Sequence, residues 1–260
     1  MPRISILTAT AFEFRSISRV LPGRPRRVWH SGHSCLMSQQ LSDVVLLMQT
    51  GIGPQKAHSM AQRLLQGGNW DLVISTGFAG ALQDLPIGTL VFGEEVLDDP
   101  FAIHPGVPIL CDTQWLGKLA KISHSRIPFT MGRFVAVPCV LTRSEEKREM
   151  GSATGALAVD MESGAIGRAA RKVGVSFAII RAISDGIEED LPLDFNIFHG
   201  PVGWMRGLWG FLRSPHVWRG MFRLYRQSRE ASAQLTKFFE LFFAEVWPPP
   251  SYLNMARSNF

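Results

Sequence analysis

Short apolar runs recur along the chain at residues 4–8, 44–49, 72–76, 89–96, 134–137 and 176–183. They are largely continuous rather than alternating, which is the pattern of strands covered on both faces. The clearest is VSFAIIRAI at residues 175–183. Between the runs lie stretches of helical character. Residues 55–65 follow Gly53-Pro54, with the proline suited to a first helical turn, and residues 165–172 are rich in Ala and Arg. Strands that alternate with helices predict an α/β fold, a single domain with a central mixed, mainly parallel sheet flanked by helices. At 260 residues the chain is long enough for one well-buried domain, and no repeat or low-complexity linker divides it.

A change of composition marks the end of the chain, so we take residues 1–198 as the main domain and 199–260 as a basic, aromatic-rich helical appendage. Between residues 200 and 229 stand Arg206, Arg213, Arg219, Arg223, Arg226 and Arg229, with no Asp or Glu. Trp204, Trp209, Phe211, Trp218, Phe222 and Tyr225 are interleaved with them. The net charge of +5 and pI near 9.4 point only to anionic partners in general. The local pattern is more particular. Rings for the acyl boundary and cations for headgroups suit a segment lying on a membrane, with Trp204, Trp209, Arg213, Trp218 and Arg223 as candidate contacts. A helix pair packed on the domain or on a subunit partner fits the same residues. Nucleic acid also attracts cations and rings. No nucleic-acid motif accompanies them, and Leu208, Leu212, Val217, Met221 and Leu224 favour an apolar interface, so nucleic acid is not expected.

No apolar stretch reaches the ~20 residues of a membrane span, and the opening MPRISILTATAFEF meets Glu13 too early for a secretory leader. Three widely spaced cysteines, Cys35, Cys111 and Cys139, suit a reducing compartment. A cytoplasmic protein is expected, with peripheral contact at the inner face of the membrane. His30, His33 and Cys35 lie close together but lack the second half of a zinc pattern, and no metal is expected.

Candidate chemistry gathers at two places, Val159-Asp160-Met161-Glu162-Ser163 and Arg181-Ala182-Ile183-Ser184-Asp185. Asp185 falls just past the carboxyl end of a buried run, where open α/β sheets bind ligands. Glu162 precedes a helix, whose N-terminus keeps a carboxylate charged and fit to accept from sugar hydroxyls. Simpler readings exist for each: Asp160 with Ser163 as a helix cap, Asp185-Gly186 as a turn. Two glycine-rich stretches, Thr50-Gly51-Ile52-Gly53-Pro54 and Thr76-Gly77-Phe78-Ala79-Gly80-Ala81, read as turns after strands, where backbone amides can approach a ligand. Neither has the spacing of a phosphate-loop or dinucleotide motif.

VDMESGAIGRAARKVGVSFAIIRAISD at residues 159–185, with TGIGPQKA, STGFAGAL and its trailing PIGTLV, resembles the nucleoside phosphorylase and nucleosidase superfamily. The resemblance runs over residues 4–195 and includes a first strand leading to Glu13. It implies cleavage of the N-glycosidic bond of a nucleoside. Asp185, oriented by Ser184, would act on purine N7. Glu162 would hold the ribose hydroxyls, and Met161 would pack on the sugar. Gly77, Phe78 and Ala79 would touch substrate, and Glu13 would handle the attacking water, as in methylthioadenosine/S-adenosylhomocysteine nucleosidases. An acid is needed because the departing base carries negative charge away from an increasingly positive ribose, and bonds to the ribose hydroxyls can strengthen as the sugar becomes oxocarbenium-like. The resemblance implies no cofactor, phosphate as a possible co-substrate, and a homo-oligomer.

Two departures narrow the resemblance. Ser75 and Thr76 stand where many phosphorylases of the superfamily place an arginine, and Phe78 stands where nucleosidases often have serine. The basic aromatic segment, together with Phe78 and the MESGAIGRAAR version of the motif, is similar to the hopanoid-biosynthesis-associated branch. That implies a purine nucleoside with a large apolar 5′ substituent, adenosylhopane, as the source of released adenine. A methylthioadenosine/S-adenosylhomocysteine nucleosidase is the alternative, with futalosine hydrolase behind it. A non-catalytic nucleoside-binding or membrane-associated module is the reading outside enzymology.

Overall fold

Each apolar run becomes a strand in the computed structural model, which describes residues 2–30, 32–41, 43–100, 107–124, 126–192 and 215–247. In chain order the elements are β1 (Arg3–Thr8), α1 (Ala11–Ser18), β2 (Arg26–His30), β3 (His33–Gln40), β4 (Asp43–Gln49) and α2 (Pro54–Gln66). Then come β5 (Leu72–Ala81), β6 (Leu90–Asp98), β7 (Ile109–Leu110), α3 (Thr113–Ser123), β8 (Phe129–Ala136) and α4 (Ser144–Thr154). The last are β9 (Ala158–Asp160), α5 (Ser163–Val173), β10 (Ser176–Asp185) and α6 (Pro215–Val246). The β2–β3 hairpin escapes the sequence pattern because it is a half-exposed edge with no continuous apolar run.

One mixed sheet joins these strands in the order β10-β6-β8-β9-β5-β1-β4-β3-β2, with β7 beside β6. Because β10 also pairs with β5, the strands β5, β10, β6, β8 and β9 close on themselves. Strands β4, β1, β5 and β10 run parallel and side by side. Their carboxyl ends share one edge, which is where such sheets bind ligands.

The two glycine stretches behave differently. Residues 50–53 form the expected turn, with Gly51 and Gly53 at φ of 86° and 101° and Pro54 opening α2. Residues 76–81 are not a turn: β5 continues through them to Ala81, paired with β10 from Arg181 opposite Gly77 to Asp185 opposite Gly80. Glycine is required at 77 for another reason. Its φ is 147°, and a Cβ there would lie 2.1 Å from Glu13 Oε1 and 2.7 Å from Arg181 Nη1.

Helices α2 and α5 pack against one another through small and aliphatic faces, Ala57, Ala61, Leu64 and Leu65 on one and Ala165, Ile166, Ala169 and Ala170 on the other. Helix α6 has two unlike halves. From Ala231 onward it buries Leu235, Phe238, Phe239, Phe242, Phe243 and Trp247 in the main core, with the Phe238 ring 5.4 Å from Phe92. Each phenylalanine buried in this way contributes about 1.5–3 kcal/mol. Ser232 Oγ lies 2.6 Å from Ser16 Oγ, and Thr236 donates to the Ser16 carbonyl at 3.1 Å. The first half instead leaves Trp218, Phe222 and Tyr225 52, 69 and 56% exposed. Trp204, Trp209 and Arg213 lie outside the described residues. Among the described residues no helix is long and apolar enough to cross a membrane.

Candidate active site

A cleft of about 220 Å³ opens at the carboxyl edge of β1, β5 and β10. Its walls include Glu13, Phe78, Ala79, Met161, Glu162, Ser184 and Asp185, so most of the sequence candidates converge. Gly77 does not line it. That residue lies behind the wall, against Glu13 and Arg181.

Glu13 reaches the cleft through the way α1 begins. Thr10 caps the helix by accepting from the Glu13 N–H at 3.2 Å, and Glu13 Oε2 accepts from Thr10 N at 2.7 Å, Thr10 Oγ1 at 2.9 Å and Ala9 N at 3.1 Å. The other oxygen, Oε1, accepts from Phe78 N at 2.8 Å. At 3% exposure the residue is no ordinary surface charge on a helix start. Phe12 and Phe78 pack at the same place with their rings tilted by 54° and centroids 5.7 Å apart.

Asp160 and Glu162 divide two tasks at the start of α5. Asp160 ends β9 two residues before the N-cap position and accepts from the Ser163 N–H at the helix start, at 3.2 Å, and from the Ser163 hydroxyl. Glu162 makes no such bond; its Oε1 reaches across to accept from Gly53 N–H at 2.9 Å, in the turn before α2. Burial pushes the Glu162 carboxyl up to about 7; the Arg181 guanidinium works against that shift, and neighbouring Asp160 adds to it.

Arg181, from the middle of β10, binds this group together. Its side chain is 1% exposed and its Nη2 lies 2.5 Å from Asp160 Oδ2 and 3.7 Å from Glu162 Oε2. The same nitrogen donates to Ser75 Oγ at 3.0 Å and Ser163 Oγ at 3.2 Å. Burial disfavours its charge, but Asp160, Glu162 and Glu13 together outweigh that and hold its pKa above the ordinary arginine value. In the sequence this arginine is a charge inside an apolar run, and nothing in its spacing points to its partners.

At the other end of the cleft, a register shift between Ile183 and Asp185 turns the last residues of β10. Ser184 Oγ donates to Asp185 Oδ1 at 2.9 Å and lies 3.4 Å from the Ala79 carbonyl. Asp185 is the last residue of the strand rather than the first beyond it. Its Oδ2 accepts from Lys147 Nζ at 2.5 Å. Lys147 comes from α4 and is wholly buried. Sequence reasoning missed it because it sits within SEEKRE, which looks like a solvated helix face. The signal available was spacing: Lys147, Met150, Gly151 and Thr154 fall on one face of the helix, and all four are buried.

A model of the phosphorylase superfamily matches residues 3–201. A 5′-methylthioadenosine/S-adenosylhomocysteine nucleosidase of Chromohalobacter salexigens is 28% identical over 225 residues, 76% of this chain and 90% of its own. The enzyme of the same description from Thermotoga maritima is 26% identical over 160 residues, covering 60% of this chain and 73% of its own. Among solved structures, the corresponding nucleosidase of Helicobacter pylori, bound to butyl-thio-DADMe-Immucillin-A, superposes with a TM-score of 0.75 at 17% identity, covering 94% of this chain and 99% of that one. Futalosine hydrolase of the same organism gives 0.74 at 16% identity, covering 94% and 98%. At such identities the structural likeness is one of fold.

Proposed function

The chain belongs to the phosphorylase superfamily, and from that premise we propose that it cleaves the N-glycosidic bond of a purine nucleoside and releases adenine, with adenosylhopane as its substrate. The observation that carries this reading is the convergence of Glu13, Glu162 and Asp185 on one cleft at the carboxyl edge of a parallel sheet. The roles follow from their surroundings. Asp185, steered by Ser184, faces the purine and delivers a proton to N7 as the C1′–N9 bond breaks. Glu162 accepts from the ribose hydroxyls, and Met161 packs on the sugar. Glu13, fixed by four donors, offers its Oε1 face to a water directed at C1′. No cofactor enters this chemistry.

The electrostatics favour water over phosphate. Arg181 is enclosed by Asp160, Glu162 and Glu13, so a phosphate dianion at that end would face carboxylates rather than a free guanidinium fork. Two features support the lipid substrate. The cleft wall is apolar at Ile52, Phe78, Leu141 and Leu191. On α6, Trp218, Phe222 and Tyr225 recur every three to four residues among exposed Arg219, Arg223 and Arg226, the arrangement of an interfacial helix. Arg223 is partly engaged, donating to the Asp190 carbonyl at 3.4 Å.

The second reading, a methylthioadenosine/S-adenosylhomocysteine nucleosidase, draws on the curated relatives. Adenine release from adenosylhopane and from methylthioadenosine, each with and without phosphate, separates the two and names the nucleophile. Turnover of adenosylhopane alone supports the lipid reading; preference for methylthioadenosine replaces it. Trp218, Phe222 and Tyr225 changed together to Ser should abolish sedimentation with anionic vesicles while leaving methylthioadenosine kinetics alone. Undiminished sedimentation would reduce the exposed stripe to ordinary surface.

A further inference from the structure

Lys147 is buried, charged and unused by the scheme above. Its three ammonium donors are all engaged: Asp185 Oδ2 at 2.5 Å, the Gly186 carbonyl at 2.9 Å and the Glu189 carbonyl at 3.1 Å. That is the full complement of a protonated amine. The loop providing the carbonyls is braced in turn. Gln227 on α6 donates to both Glu189 carboxylate oxygens at 2.7 and 2.9 Å, and Glu189 Oε2 accepts from Gly186 N at 3.2 Å. Glu188, one residue earlier, is engaged at the surface by Arg148.

The arrangement raises a question about the proton. Asp185 faces the cleft as half of an ion pair, with Ser184 on one oxygen and Lys147 on the other. Both carboxylate oxygens are thus already engaged by donors, so a proton bound for N7 has to be passed on through one of them. Ser184 is too weak an acid to supply one, while an ammonium at 2.5 Å can.

Resting on the reading of Asp185 as the group at purine N7, we propose that Lys147 is the proton source that acts through Asp185 when the base departs. As the C1′–N9 bond breaks, its electron pair leaves with the base. One proton passes from Lys147 Nζ by way of Asp185 to N7, which leaves a neutral amine hydrogen-bonded to the Asp185 carboxylate. The attacking water passes a proton to Glu13 as it bonds to C1′, and Glu13 releases it to solvent. Solvent returns one to the amine after the base has gone, so the cycle balances. Lys147 touches no substrate atom in this scheme; it positions and recharges Asp185.

A buried ion pair that merely locks α4 to the loop would have the same geometry, so the test turns on the leaving group. Lys147→Met and Lys147→Arg, in the full chain, are assayed for adenine release from whichever adenine nucleoside the parent protein turns over. They are assayed in parallel on 4-nitrophenyl β-D-ribofuranoside, whose leaving group departs without protonation. Both variants should lose about 10²–10⁴-fold in kcat for adenine release, with KM little changed and nitrophenol release near parental. Equal losses on both substrates would make Lys147 a structural brace and overturn the proposal; so would no loss on either. If Lys147→Met does not fold, Lys147→Arg decides alone, since it keeps the cation but withholds the proton. A parent protein that releases adenine from neither nucleoside would fail the functional reading itself, an outcome distinct from a variant that keeps full activity.

Discussion

The two ends of the cleft solve the same electrostatic problem with different cations. At the end proposed to hold the ribose, Arg181 stands amid Asp160, Glu162 and Glu13; at the end proposed to face the purine, Lys147 stands beside Asp185. Both cations are fully buried, and each offsets carboxylate charge that would otherwise be costly away from water. The chemistry of the two differs. A guanidinium never gives up its proton in a protein, so the ribose end is a fixed lattice of charge that can hold hydroxyls and a water without changing state. An ammonium is a labile acid, and it stands at the end where the proposed reaction moves a proton. The contrast teaches that the choice of cation, more than the presence of an ion pair, tells a positioning site from a transferring one.

The largest effect should come from the purine end. Asp185→Asn removes the group proposed to act on N7, and adenine release should fall by about 10²–10⁴-fold. It also strands a buried ammonium, so its midpoint in urea should drop. Adding Lys147→Met to Asp185→Asn should restore part of that stability, since the unpaired charge goes with it. Unchanged adenine release in Asp185→Asn would remove the proposed mechanism.

Arg181→Met probes the fixed lattice. It leaves three buried carboxylates without their common partner, and the expected cost is about 3–5 kcal/mol of unfolding free energy, read from urea denaturation. A loss under ~1 kcal/mol would mean that the carboxylates simply take up protons, and the ribose end would then be no more fixed than the purine end.

How much of this was legible in the sequence differs from one cleft residue to the next. The strands beneath the site announced themselves as apolar runs, and the loop-to-helix start at Gly53-Pro54 followed from φ preferences at single positions. Asp185 and Glu162 stand out in the sequence because each lies at the end of an element whose period is plain. The stretch after Thr76 misled because glycines read as a turn, whereas Gly77 serves close packing of Glu13 and Arg181 within a continuing strand. The two cations were the hardest. Arg181 broke the apolar pattern without naming a partner, and Lys147 was hidden among charged neighbours on a helix that only the tertiary fold turns inward. Pairing across 38 residues, from Lys147 to Asp185, leaves no periodic trace.

The subtlest expected effect tests whether the ribose end is as fixed as its arginine suggests. Burial pushes the Glu162 carboxyl up to about 7 despite Arg181, whose closest contact, at 2.5 Å, goes to Asp160 instead. Below that pH Glu162 is increasingly protonated and loses acceptor capacity for ribose hydroxyls. kcat/KM should therefore rise with pH through about 7, and this limb should vanish in Glu162→Gln, on top of that variant's general loss. Stability should move the opposite way. The folded pKa lies above the ordinary value of 4.5, so the native state binds the extra proton between 4.5 and about 7. Stability is then fullest below 4.5 and is lost as pH rises towards about 7, measured as the difference in Tm between parent and Glu162→Gln across that window. A pH-independent difference would place the Glu162 charge under the control of Arg181 after all, and would make the ribose end wholly fixed.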